Sequence, residues 1–211
     1  MQPDRSARPG FLPFDSDADR AMSDPSVVPE YLDLFDTQLD AMEELLADTP
    51  PAKLWETPGP ATRSIGEQLH HLAEWLRCYR HRAALFYRAF YPVSWLLRNR
   101  PYPTHIDDVY SRDRFPNYVG FMCPERHTPD RTLALGTLTN RLREGHELVR
   151  EFYRDKSEPI LGHIWLYDMA IGWVNLIQAL RIAVYHDQHH YDLICELCEM
   201  PLENGSGEEL L

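Results

Sequence analysis

The sequence predicts an all-α protein, a four-helix bundle with long connections. Three observations predict it. Four segments carry apolar residues at helical spacing, with polar and charged residues on the opposite face. No run of alternating apolar and polar residues stands out as a strand, and no internal repeat is present. The segments are joined by proline-punctuated stretches too long for a simple up-and-down bundle.

The elements follow in order. Residues 1–27 are rich in Pro, Asp, Ser and Arg and have no period, so they read as a flexible extension. Pro29 opens a helix over 29–47, with Leu32, Phe35, Leu39, Met42 and Leu46 in its stripe and acids outside. A connection rich in proline leads to Ser64, which reads as an N-cap with Glu67 in the capping-box position. The second helix then runs to about residue 91, with Ile65, Leu69, Leu72, Leu76, Tyr79 and Ala83 inward. Residues 91–130 hold many prolines and aromatics and form a long excursion, either a lid or a patch covering the open end of the bundle. The third helix spans 132–153, and the fourth runs from about 167 to 199 after the break DKSEPILGH. Residues 201–211 read as a frayed tail, leaving 28–200 as a single bundle domain.

Composition excludes several functions. A net charge of −12, from 21 basic and 33 acidic residues, argues against nucleic acid and anionic membranes as partners, and no run rich in Lys or Arg is seen. The apolar stretch 165–184 is interrupted by Asp168, Asn175, Gln178 and Arg181, so it does not read as a membrane span. The N-terminus has no apolar signal core. With only four cysteines, this predicts a reducing, cytoplasmic setting.

The chemistry concentrates in HDQHHYDLI, residues 186–194. His186 and His190 are four apart and share one helix face. At 100° per residue they fall within the apolar arc formed by Leu176, Leu180, Ala183, Ile194 and Leu197. His189 points the other way, toward Asp192 and Glu196, and is expected to face water. Two neighbouring imidazoles facing a core are costly unless their lone pairs are used. A shared metal ion uses them; so do hydrogen bonds to carboxylates or to each other. On the second helix His70 lies on the polar side, whereas His71 lies at the border of the stripe beside Trp75 and Cys78 and is better placed to look inward.

SIGEQLHHLAEW (64–75), followed more than a hundred residues later by YHDQHHYDLI (185–194), resembles the DinB-like (DinB/YfiT) metal-binding four-helix bundles. CPERHTPD before the third helix is similar to that family's linker. The resemblance covers roughly residues 27–200. It implies a divalent metal, often zinc or nickel, held by His71, His186 and His190. It also implies a thiol-dependent S-transferase or isomerase, or a hydrolase of a small substrate, with a low-molecular-weight thiol as cosubstrate. The alternative is a non-catalytic, metal-stabilised bundle acting as a dimeric binding module. By analogy the chain is expected to be a homodimer acting on a small molecule.

Three neutral histidines leave a coordination position open for water or a thiol, as catalytic zinc sites do. Trp75, His146, Asp187 and His189 are the further candidates for contact with a ligand or substrate. Asp187 makes the segment His-Asp-x-x-His, one methylene short of the zincin His-Glu-x-x-His, and reads as a surface or ligand-supporting carboxylate. His146 reads either as such a group or as a border histidine in a hydrogen bond. Cys195 and Cys198 sit near a helix C-terminus, where the dipole raises a thiol pKa, and read as packing residues. No catalytic side chain is singled out.

Overall fold

The computed structural model describes residues 26–57, 59, 63–110, 130–168 and 171–200. Residues 1–25 of the proposed extension over 1–27, the middle of the excursion at 111–129 and the tail at 201–211 lie outside the described residues.

Four long helices form the bundle: α1 (Val27–Ala47), α2 (Ile65–Leu97), α3 (Leu135–Arg154) and α5 (Leu176–Glu199). A 3-10 turn (Pro51–Trp55) follows α1, and a short helix α4 (Glu158–Leu161) follows α3. α1 packs on α5, α5 on α2, α2 on α3 and α3 on α1, closing a ring of four around one core. Phe35, Met42, Leu69, Leu72, Leu138 and Leu142 fill that core from three of the helices, and Leu180 from the fourth.

Local chemistry explains where the helices begin. Ser64 and Glu67 form the anticipated capping box on α2, with Ser64 Oγ accepting from the Glu67 amide at 3.3 Å and Glu67 Oε2 accepting from the Ser64 amide at 2.9 Å. At the second residue of α2, Gly66 lets the Trp55 ring lie directly against the helix; a Cβ there would overlap the ring. α1 starts at Val27 rather than Pro29. Its first turn is capped from another element, since Glu158 Oε2 accepts from the Val28 amide at 3.3 Å.

Two boundaries differ from the sequence reading. α2 continues through Pro92 to Leu97, so the first residues of the expected excursion are helical. Proline removes one helical hydrogen bond; here it sits on an exposed stretch of helix. The last helix does not start near residue 167. A β-hairpin precedes it, β1 (Trp165–Asp168) paired antiparallel with β2 (Gly172–Asn175), and adds a short strand pair to the helical fold. Leu166 and Val174 face inward while Tyr167 and Trp173 are exposed. That is a period of two, in segments too short to stand out in the sequence. Gly172 at φ 95° supports the tight turn. Asn175 ends the hairpin and starts α5 in a second capping box, its Oδ1 accepting from the amides of Ile177 (3.0 Å) and Gln178 (2.9 Å).

The described part of the excursion after α2 is an extended strap lying along α5 and α1. Four side chains donate to its carbonyls: Asn175 to Pro103 (2.7 Å), Tyr31 to Thr104 (3.3 Å), Gln178 to His105 (2.8 Å) and Tyr185 to Ile106 (3.2 Å). Arg181 steadies the two tyrosines, donating to Tyr185 Oη at 2.6 Å and Tyr31 Oη at 2.8 Å. The strap ends with Val109 fully buried and with Tyr110 beside the histidines of α5.

Candidate metal centre

α2 and α5 bring His71, His186 and His190 together. One nitrogen of each lies within 4.8 Å of the others. His186 and His190 are both 5% exposed and His71 is half-buried, so the cluster opens on the His71 side. The Nε2 atoms of His186 and His190 approach to 3.2 Å. Two nitrogens bound to one tetrahedral zinc at about 2.1 Å each would be ~3.4 Å apart, so little movement is needed to share an ion.

The supporting contacts fix which nitrogens carry lone pairs. Gln68 Oε1 lies 2.7 Å from His190 Nδ1. A carbonyl oxygen only accepts, so the His190 proton is on Nδ1 and its Nε2 is a bare lone pair facing His186. Trp75 stacks on the His186 ring with centroids 4.2 Å apart and planes 23° apart, and Tyr79 continues the stack beyond it. His186 Nδ1 is buried with no hydrogen-bond partner among the described residues. Stacking on Trp75 and the Nε2 contact with His190 therefore orient this ring.

Electrostatics keep the three rings neutral. Burial, followed by the positive charge of Arg63 and then of His70 and His189, lowers the His71 pKa to about 4. Burial is also the main cause holding His186 and His190 well below the usual histidine range, reinforced by the other histidines and Arg63. Neutral imidazoles offer lone pairs at neutral pH. Three of them converging at metal-ligand spacing, one already oriented by Gln68, are a donor set that fits a divalent transition metal and could hold one.

The DinB superfamily model matches residues 34–194, about three-quarters of the chain. The chain belongs to the DinB superfamily. No curated protein matches it.

In this DinB-superfamily chain the other candidate residues separate into two groups. His189 does not face open water. The strap covers it, and the Tyr110 ring stacks on it at 5.1 Å and lies 5.7 Å from His186. Trp75 touches His186 directly. Asp187 and His146 belong elsewhere. Asp187 is fully buried rather than at the surface, and its Oδ2 lies 2.9 Å from His146 Nε2. This contact crosses the core from α5 to α3, and Phe35 of α1 stacks on the His146 ring at 3.9 Å. The close approach is not aligned as a hydrogen bond, and neither carboxylate oxygen has a hydrogen-bond partner among the described residues. Burial raises the Asp187 pKa, and the nearby His146 opposes that rise. Asp187 thus faces away from the three-histidine group, which removes the zincin-like general-base role.

His70 lies outside the group, as do Cys195 and Cys198, which form no disulfide among the described residues. Sequence reasoning missed Gln68 and Tyr110. Gln68 carried a signal, being a polar residue three positions before His71 at the edge of an apolar stripe. Tyr110 carried none, because an aperiodic connection does not reveal where its aromatics dock.

Proposed function

We propose that the protein is a divalent-metal-dependent enzyme acting on a small molecule, using His71, His186 and His190 to hold zinc or nickel. The preferred reaction is thiol-dependent S-transfer or isomerisation, with hydrolysis of a small substrate as the variant using the same residues. The observation that carries the reading is the convergence of three neutral imidazole nitrogens within 4.8 Å on the partly open side of a bundle.

A divalent cation bound there supplies Lewis acidity, which lowers the pKa of a coordinated thiol or water. The chain's own residues do the rest. Gln68 holds the His190 proton away from the centre, and Trp75 fixes the plane of His186. Tyr110 and the strap cover the His189 side, limiting access to water. Arg63 is half-buried, and its charge reaches all three rings. A cation in that position suits an anionic cosubstrate, such as a thiol bearing carboxylates. In transfer, the thiol proton leaves to solvent, sulfur bonds to an electrophilic carbon of the acceptor, and the leaving group departs with its electron pair.

The test has two parts. Protein purified without a histidine tag is analysed for metal beside His186→Ala. Stoichiometric metal in the wild type and little in the variant is expected; equally negligible metal in both would sink the proposal. The loaded protein is then screened with bacillithiol, mycothiol, coenzyme A and glutathione, and with simple esters. Activity lost in His186→Ala is expected. Inactivity with every thiol and ester would leave a metal-stabilised binding module.

A further inference from the structure

Exposed apolar side chains gather at one end of the protein. Beyond Ala83 the one fully buried residue of α2 is Ser94; Ala84, Phe86 and Tyr87 still pack against the core, so it is the last ten residues, 88–97, roughly 15 Å of helix, that stand largely outside it. Leu85, Phe90, Tyr91, Val93, Trp95 and Leu96 are exposed, the last at 72%. Ser94 Oγ donates to the His163 carbonyl at 3.1 Å, and His163 Nε2 donates to the Arg100 carbonyl at 3.0 Å. These bonds pin the end of α2 beside the base of the hairpin. The hairpin exposes Trp165, Tyr167 and Trp173.

Along α2 and the residues just after it the charge is opposite to that of the chain, although the neighbouring α4 and hairpin carry Glu158 and Asp168. No Asp or Glu occurs between Glu74 and Asp107, whereas six arginines do, at 77, 80, 82, 88, 98 and 100. Arg82, Arg88, Arg98 and Arg100 meet no carboxylate among the described residues. Arg98 instead lies 4.0 Å over the Trp95 ring. The net charge of −12, which argues against anionic surfaces, averages over this segment and hides it.

We propose that the outer half of α2 and the hairpin dock the protein onto an anionic lipid surface. No described helix is long and apolar enough to cross a membrane, so the contact is peripheral. Charge complementarity favours lipid over a second copy, since pairing this face with itself would set arginines against arginines. The aliphatic residues favour lipid over nucleic acid. Bases stack on rings, whereas Leu85, Val93 and Leu96 offer no stacking surface and gain by entering hydrocarbon. Trp and Tyr, with polar edges on apolar rings, suit the headgroup boundary, and arginine stems lie along apolar surface with their charge at the phosphates. Trp95 is 24 residues along α2 from His71, roughly 35 Å, so docking leaves the histidine cluster uncovered.

The test uses the full chain with vesicles of phosphatidylcholine alone or mixed with phosphatidylglycerol, read by co-sedimentation. Wild type should bind the mixed vesicles at low salt, release at high salt and ignore the neutral ones. Trp95→Ala/Leu96→Ala and Arg88→Glu/Arg98→Glu should each weaken binding about tenfold or more, with melting temperature and zinc binding unchanged. Four outcomes would overturn the proposal. One is a wild type that does not bind mixed vesicles; another is both variants binding them as it does. A third is a dimer in sedimentation velocity that Trp95→Ala/Leu96→Ala dissociates, with no vesicle binding. The fourth is single-stranded oligonucleotide binding that is lost in the variants while vesicles are ignored.

Discussion

Gln68 is the residue on which the geometry of the histidine cluster turns. Its contact with His190 Nδ1 sets both the tautomer and the direction of the Nε2 lone pair. Groups that orient a metal-bound imidazole in this way are worth about 10–100-fold in affinity. Gln68→Ala should therefore weaken zinc binding by that order in a competitive chelator titration; unchanged affinity would show that the contact does not matter. The His71 pKa gives a second prediction, for metal-free protein. The folded value is about 4 against 6.5 for an ordinary histidine, so between those values the unfolded chain carries a proton that the folded chain lacks. The contribution is complete above about pH 6.5 and is lost as pH falls toward 4, on the order of 2–3 kcal/mol for this group. Urea unfolding at pH 7 and pH 5 should show the loss, and His71→Gln should reduce it. Asp187 and His146 form a separate buried pair between α5 and α3. Asp187→Ala leaves a buried imidazole without its carboxylate and should destabilise the fold by about 3 kcal/mol. The helical wheel placed His186 and His190 inward but could not show that Asp187 also meets a partner across the core, because that depends on how α3 is rotated.

At the scale of elements, α5 carries both the fold and the cluster. Asn175 caps its first turn and also donates to the strap at Pro103. Asn175→Ala removes both contacts and should lower stability by about 1–2 kcal/mol, measurable as a lower melting temperature; an unchanged melting temperature would count against the cap. Capping chemistry explains why the start of α2 was legible and that of α5 was not. Ser64 and Glu67 stand before a long apolar stripe with nothing competing. Before Asn175, the apolar residues Trp165, Leu166 and Val174 extend the apparent helical stripe backward, yet they form a hairpin. Four residues per strand are too few to distinguish a period of two from one of 3.6. The strap was illegible for a related reason, since its order comes from side chains on α1 and α5 rather than from its own sequence.

For the whole molecule, membership in the DinB superfamily and the ring of four helices are what the apolar periodicity and the two histidine motifs implied. The convergence of residues more than a hundred positions apart could be anticipated because His186 and His190 lie on the inner face of α5 and His71 at the border of the inner face of α2, and inner faces must meet. The charge of the outer half of α2 was equally present in the sequence, but a net charge for the whole chain concealed it. A metal at the cluster ties α2 to α5, so chelation should lower the melting temperature of wild type and leave His186→Ala unaffected. The central claim is best tested by anomalous X-ray scattering at the zinc and nickel edges, from crystals of untagged protein. The account predicts a peak bounded by the imidazole nitrogens of His71, His186 and His190. An empty map there, in crystals grown with either metal and with the three rings well ordered, would contradict it.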